Sequence, residues 1–307
     1  MRGQGPLGAT AAALLLLAAW PALSACAGKV VHPRAVTVVA STDVWGSVAR
    51  AVTGRHVPVK SILGGPQIDP HSYQATPSDA AALTDAALVV YNGGGYDPWV
   101  DQVLERHRSV ASVDAYSFAT DAKSGGPPPN EHVFYDLNVA KSVATAISDR
   151  MAAIDPANAA DYRGNAADFC RGADGIAISE HAIASAYPDT GVVATESDGY
   201  YLLAASGLVN RTPPAFAAAN ENETDPTPSD MASVLDLIAH REVSAVLVNP
   251  QTSTAAISGL EDAARRAGVP VTDVTETLPD GSDYLSWQRA TVDQLLAALQ
   301  NGPVRQP

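Results

Sequence analysis

The sequence predicts an α/β protein of two lobes, each a mostly parallel sheet flanked by helices, joined by a long linking helix. Short β-branched runs alternate with helix-like segments, the pattern of parallel strands joined by right-handed crossovers. The tetrapeptide Thr-Pro-Ser-Asp occurs at 76–79 and again at 227–230, inside a matching order of elements. Between the two stretches lies a segment whose apolar residues recur at helical spacing.

In the first half, strand-like VTVVAS (36–41) leads to a helix-like segment from near Asp43. VPVKSIL (57–63) follows and opens into the loop GGPQIDPHSYQ. Thr76 is then an N-cap, with Pro77 at the first helical position and Asp79 at the third. ALVVYNG (87–93) is a strand, NGGGYD a turn, YDPWVDQVLERH (96–107) a helix and SVASVDA (109–115) another strand. The order recurs in GVVATE (191–196), the second cap, AVLVNPQ (245–251), a helix around 255–267 and VPVTDV (269–274). Residues 35–155 therefore form an N-terminal lobe, 156–187 the linking helix and 188–307 a C-terminal lobe. Within the linker, Tyr162, Ala166, Phe169, Ala173, Ile176 and Ile183 share one helical face. Gly164, Gly172 and Gly175 oppose continuity, each costing about 1 kcal/mol against Ala.

The chain has 307 residues, 46% hydrophobic and 17% charged, so it can bury a sizeable core and is not broadly disordered. A net charge of −14 without a Lys/Arg run excludes nucleic acid as a partner. Two cysteines cannot build a disulfide scaffold. Arg2 is the only charge before the apolar run 11–23, which is shorter than the roughly 20 residues of a spanning helix and reads as a signal peptide over 1–25. Leu23-Ser24-Ala25-Cys26 resembles the bacterial lipobox, which implies lipidation of Cys26, a tether over 26–34 and attachment to the outer face of the cytoplasmic membrane. Cys170 is expected to be an inert, buried residue.

Ligands of open α/β sheets bind beyond the carboxyl ends of the strands. There the sequence has Asp69-Pro70-His71, Asn130-Glu131-His132, Glu196 and Glu276: two imidazoles from the first half and two carboxylates from the second. DPHSYQATPSD, VVYNGGGYDPW, NEHVFYDL, VVATESDGYYLLAASGL and DVTETLPDGSDYLSW resemble, in that order, the metal-specific (zinc or manganese type) substrate-binding lipoproteins of ABC transporters. The resemblance implies that His71, His132, Glu196 and Glu276 hold a divalent metal, Zn²⁺ or Mn²⁺, between the lobes. It also implies a monomer that delivers the ion to the membrane subunit of an ABC permease.

Glu276 departs from the usual Asp by one methylene, which leaves Asp273, Asp280 and Asp283 as other carboxylates in the neighbourhood. Glu196 has an alternative role as cap of a helix near Gly199. Asp136 is expected to cap DLNVAKSVATAI, and Asp69 to orient His71. Trp45, Trp99, Tyr200 and Tyr201 are expected to pack cleft walls and cores. His32, His56, His107, His181 and His240 are expected on the surface. The loop DAKSGGPPPN has no His and so no imidazole antenna for metal.

No G-x-S-x-G, H-E-x-x-H or G-x-x-x-x-G-K motif occurs. A closed site of four protein ligands also lacks the open position of a catalytic zinc site, so no enzyme is expected. A secreted metallohydrolase and a surface adhesin lipoprotein with structural metal are the alternatives. His₂Glu₂ chemistry serves Zn²⁺ and Mn²⁺ alike, and the Irving–Williams order favours zinc in vitro at almost any such site.

Overall fold

The β-branched runs become strands, the central ones buried on both faces, and the segments between them become helices that cover those faces. A computed structural model describes residues 36–66, 70, 72–119, 130–221 and 224–303. The expected signal peptide, tether and Cys26, with His32, Asp69 and His71, lie outside the described residues. In the first lobe, β1 (Val38–Thr42), α1 (Asp43–Thr53), β2 (Val59–Leu63), α2 (Pro77–Asp85) and β3 (Leu88–Tyr91) come first. They are followed by α3 (Pro98–Arg106), β4 (Ser112–Asp114) and α4 (Leu137–Ile154). Then α5 (Ala159–Ala186) leads to β5 (Gly191–Ala194), α6 (Tyr200–Ala205), β6 (Val209–Asn210) and α7 (Pro214–Glu221). The chain goes on through α8 (Pro228–Ala239), β7 (Val246–Val248), α9 (Ala255–Ala267), β8 (Val271–Asp273) and α10 (Tyr284–Asn301).

Both sheets are parallel, with orders β2-β1-β3-β4 and β6-β5-β7-β8. Numbered within each lobe, the two orders are the same. The repeated tetrapeptide does the same work twice. Thr76 and Thr227 each accept from the backbone N–H of the Asp three residues on, and that Asp accepts from the cap backbone in return. The sequence did not signal β6, whose two residues are both exposed and carry no apolar run.

Alternation along the strands divides the core. Val38, Ala40, Leu88 and Val90 of the first sheet point inward, as do Val192, Ala194, Ala245 and Leu247 of the second stretch. They join one buried cluster that also takes in residues of α1, α4, α5 and α10. Val39, Val89 and Tyr91 point to an outer core against Leu83 and Val100, and Val193, Val246 and Val248 to another against Phe216, Val234 and Leu260.

α5 runs unbroken for 28 residues, about 42 Å. Of its glycines, Gly172 packs closely against α10: a Cβ there would lie 2.6 Å from Leu285 Cδ1, so that side chain would have to turn aside, whereas Gly164 faces open space. The expected apolar face is buried throughout. Cys170 is half-buried rather than fully buried, its sulfur 3.9 Å from the Lys141 carbonyl. Tyr200, expected in a wall, is 52% exposed. Asp136 caps α4, accepting from Asn138 N and Val139 N. Among the described residues no helix is long and apolar enough to cross a membrane.

Glu180 continues the buried face of α5 between Ile176 and Ile183 and is 2% exposed. Burial, with a smaller push from Asp136, raises its carboxyl from 4.5 to about 7. The folded state thus holds a proton there that the unfolded chain has already released. The contribution of Glu180 is most favourable below its unfolded value and is lost as pH rises through about 7. Glu180→Gln is expected to stabilise the protein at about pH 8 by on the order of 2 kcal/mol, with the gain shrinking towards zero near pH 4.5. Thermal melts across that range check this. Equal melting temperatures for both proteins at the alkaline end would contradict it.

Candidate metal centre

The strand ends of the two sheets meet. Asp43, directly after β1, accepts from Gly65 N at 2.9 Å and from Leu278 N of the second lobe at 3.3 Å. Thr277 Oγ1 donates to the Gly65 carbonyl at 2.9 Å. In the first lobe, Asn92 after β3 holds the loop that carries His132: its amide donates to the Glu131 carbonyl at 2.8 Å and its Oδ1 accepts from Trp45 Nε1 at 3.1 Å. Gly93, Gly94 and Gly95 form the turn before α3, all at positive φ. A Cβ on Gly93 would lie 2.1 Å from Asp114 Oδ1, so only glycine fits there. This turn delivers Tyr96, whose ring meets His132 edge-on at 5.8 Å.

His132 is 2% exposed. Its Nδ1 and its backbone N–H both lie 2.9 Å from Asn130 Oδ1, while Asn130 Nδ2 donates to Ser197 Oγ at 2.8 Å. With that amide so oriented, Asn130 Oδ1 accepts from Nδ1–H, and Nε2 is left to face the cleft. There it stands 3.4 Å from Glu276 Oε2. Burial works against a charge on this imidazole. Even so, Glu276, with Asp198 and Glu131 further off, holds it above the ordinary histidine value.

Glu276 is 1% exposed, three residues beyond the end of β8 as the strand-end rule expects. Its N–H donates to Gln251 Oε1 at 2.7 Å, and Gln251 Nε2 donates to Thr277 Oγ1 at 2.6 Å. Next to it, Tyr135 donates to the Thr275 carbonyl at 2.7 Å and Trp287 Nε1 to Thr275 Oγ1 at 3.0 Å. The loop is therefore pinned from both lobes. Burial, and after it the Glu276 carboxylate, raises the Tyr96 phenol well above the ordinary tyrosine value.

Glu196 follows β5 and is half-buried. It accepts from Thr252 Oγ1 at 2.5 Å and from Asn249 Nδ2 at 3.0 Å. The same Asn249 nitrogen donates to Glu276 Oε1 at 2.9 Å. Asn249 Oδ1 accepts from Gln251 N, which orients the amide with both hydrogens towards the carboxylates. One neutral side chain at the end of β7 thus keeps two like charges in a fixed relation.

The structure therefore brings His132, Glu196 and Glu276 to one cleft. Asp273 and Asp280 are exposed, and Asp283 caps α10. The N-cap residue of α6 is Gly199. Among the described residues, no three His, Cys, Asp or Glu are already arranged to enclose an ion. Asn249 stands between the two glutamates, and His71 lies outside the described set. Sequence reasoning missed Asn249, which sits at a strand end but is not a typical ligand type. It also missed Asp198, 3% exposed and two residues after Glu196. Burial, then the nearby Glu276 charge, raises the Asp198 carboxyl well above the carboxylate range.

Two parallel lobes whose strand ends converge on buried carboxylates and an imidazole define a two-lobed substrate-binding protein. ZnuA, described as zinc-uptake complex component A periplasmic, matches residues 38–298. The chain belongs to this family of metal substrate-binding proteins of ABC transporters. It is 25% identical over 267 residues to the manganese-binding lipoprotein MntA of Bacillus subtilis, covering 82% of this chain and 84% of that one. It is 20% identical over 281 residues to the manganese ABC transporter substrate-binding lipoprotein PsaA of Streptococcus pneumoniae, covering 85% and 88%. Its fold is like that of the periplasmic zinc-binding protein TroA from Treponema pallidum, with a TM-score of 0.73 at 19% identity, over 86% of this chain and 99% of that one.

Replacing Asn249 by Ala removes the shared donor from two carboxylates. The expected loss of stability is about 3 kcal/mol, read from the urea unfolding midpoint. An unchanged midpoint would show that the amide is not restraining the pair.

Proposed function

We propose that this protein captures a divalent transition metal, Zn²⁺ or Mn²⁺, with His71, His132, Glu196 and Glu276, and hands it to the membrane subunit of an ABC permease. The observation that carries this reading is the buried pair of His132 Nε2 and Glu276 Oε2, with Nδ1 already committed to Asn130. An imidazole so tied presents one lone pair in one direction, and a cation replaces the proton that otherwise mediates its pairing with the carboxylate. Asn249, Thr252 and Gln251 hold the carboxylates in place while the ion binds. Two lobes meeting at the strand ends supply donors from both sides, and four protein donors leave no position for a reactive water. Binding and release, not catalysis, is then the function.

Lobes over 35–155 and 188–307 joined by 156–187, a monomeric state, and a lipid anchor at Cys26 after removal of 1–25 complete the proposal. The anchor holds the binding unit beside its permease at the outer face of the membrane.

Metal titration of residues 27–307 tests the ligand set. His71→Ala, His132→Ala, Glu196→Ala and Glu276→Ala are each expected to weaken binding by about 100-fold. One equivalent bound to His132→Ala as tightly as to the parent protein would remove the central observation. For the anchor, Cys26→Ser is expected to move the protein from the membrane fraction to the soluble one, and retention in the membrane would refute it.

A further inference from the structure

We propose that Asn130 is a positioning residue through which the second lobe sets the direction of the His132 imidazole, aiming Nε2 into the cleft only while the two lobes are together. The consequence for binding rests on the metal-capture reading; the hydrogen bonds that carry the proposal do not.

Both ends of the Asn130 amide are committed. Its Oδ1 accepts from the His132 backbone N–H, closing an Asx turn, and lies 2.9 Å from His132 Nδ1. Its Nδ2 donates to Ser197 Oγ at 2.8 Å, in the turn between β5 and α6 of the second lobe. Its backbone carbonyl accepts from the Tyr201 hydroxyl of α6 at 2.8 Å. Leu202 and Leu203 fix α6 in turn by their burial in the central core. The next residue is held from the opposite side, since Asn92 of the first lobe donates to the Glu131 carbonyl at 2.8 Å. Adjacent residues of one loop thus answer to different lobes.

The Asx turn needs only Oδ1, so local structure does not explain the grip of Ser197 on Nδ2 or of Tyr201 on the carbonyl. Together they settle which way the amide faces. Turned over, it would set its NH₂ against the His132 backbone N–H and lose the acceptor that Nδ1–H uses. As the lobes part, Nδ2 loses its acceptor and the carbonyl its donor, while Asn92 keeps Glu131 in place. The amide is then free to turn, and the ring can exchange tautomer or rotate. An ion held on Nε2 is bound more weakly from that point, so separation of the lobes loosens the donor as it opens the cleft.

Ring direction is read on residues 27–307 without metal, from ¹⁵N spectra of labelled histidine at alkaline pH. One protonated and one bare ring nitrogen identify the tautomer. The His132 signals are those missing from His132→Gln. The parent is expected to show one form, protonated at Nδ1. Ser197→Ala combined with Tyr201→Phe is expected to show both tautomers, as is Asn130→Ala. Ser197→Thr keeps a hydroxyl and is expected to match the parent. In competition titrations the combined variant is expected to bind Zn²⁺ about tenfold more weakly than the parent.

Parent-like His132 signals in the combined variant would overturn the inference and leave metal capture standing. So would mixed tautomers in Ser197→Thr, since the effect would then be steric. A parent that binds no Zn²⁺ would remove the metal-capture reading, whereas the tautomers, read without metal, decide this inference separately.

Discussion

Keeping two carboxylates and an imidazole almost out of reach of water is the constraint around which the rest of this structure is arranged. Glu276, Asp198 and His132 are each at most 3% exposed, and like charges at such depth repel unless donors or a cation stand among them. The protein meets part of this demand with neutral side chains. Asn249 serves two glutamates, Gln251 takes the Glu276 backbone, and Asn130 sets the direction of the imidazole. These groups sit at strand ends or in loops pinned by large aromatics, so they hold position before any ligand arrives.

Elements with a strong local signal were legible in the sequence. The two Thr-Pro-Ser-Asp caps form because side-chain and backbone donors satisfy each other within four residues, whatever the tertiary context. The central strands were legible because they are buried on both faces and so read as continuous apolar runs. The 3/4 rhythm of α5 outweighed its glycines, one of which packs against Leu285 of α10 while the others only lower propensity. Glu196 and Glu276 stood out in the sequence because they follow apolar strands, where open α/β sheets bind ligands.

What stayed hidden depended on distance. β6 has two exposed residues, and only its pairing with β5 makes it a strand. Asn249 is an ordinary turn residue until Glu196 and Glu276, 53 and 27 positions away, are brought to it. Glu180 was passed over because a charged residue inside an apolar rhythm reads as an interruption, although it occupies a core position of the same face. The division into lobes was legible as a repeat, yet the largest buried cluster crosses it and takes in α5 and α10.

That shared core has a kinetic side. Tyr284 N at the start of α10 donates to Ser47 Oγ of α1, a contact between positions 237 apart, and Gln288 donates to the Phe134 carbonyl across 154. Contacts of such separation close large loops and slow folding. The first lobe cannot finish packing until α10 has been made and has travelled back to it. During that interval the outer cores can collapse locally, while the seam that will hold the buried charges is still open to water. The cleft is thus assembled late, from both ends of the fold at once.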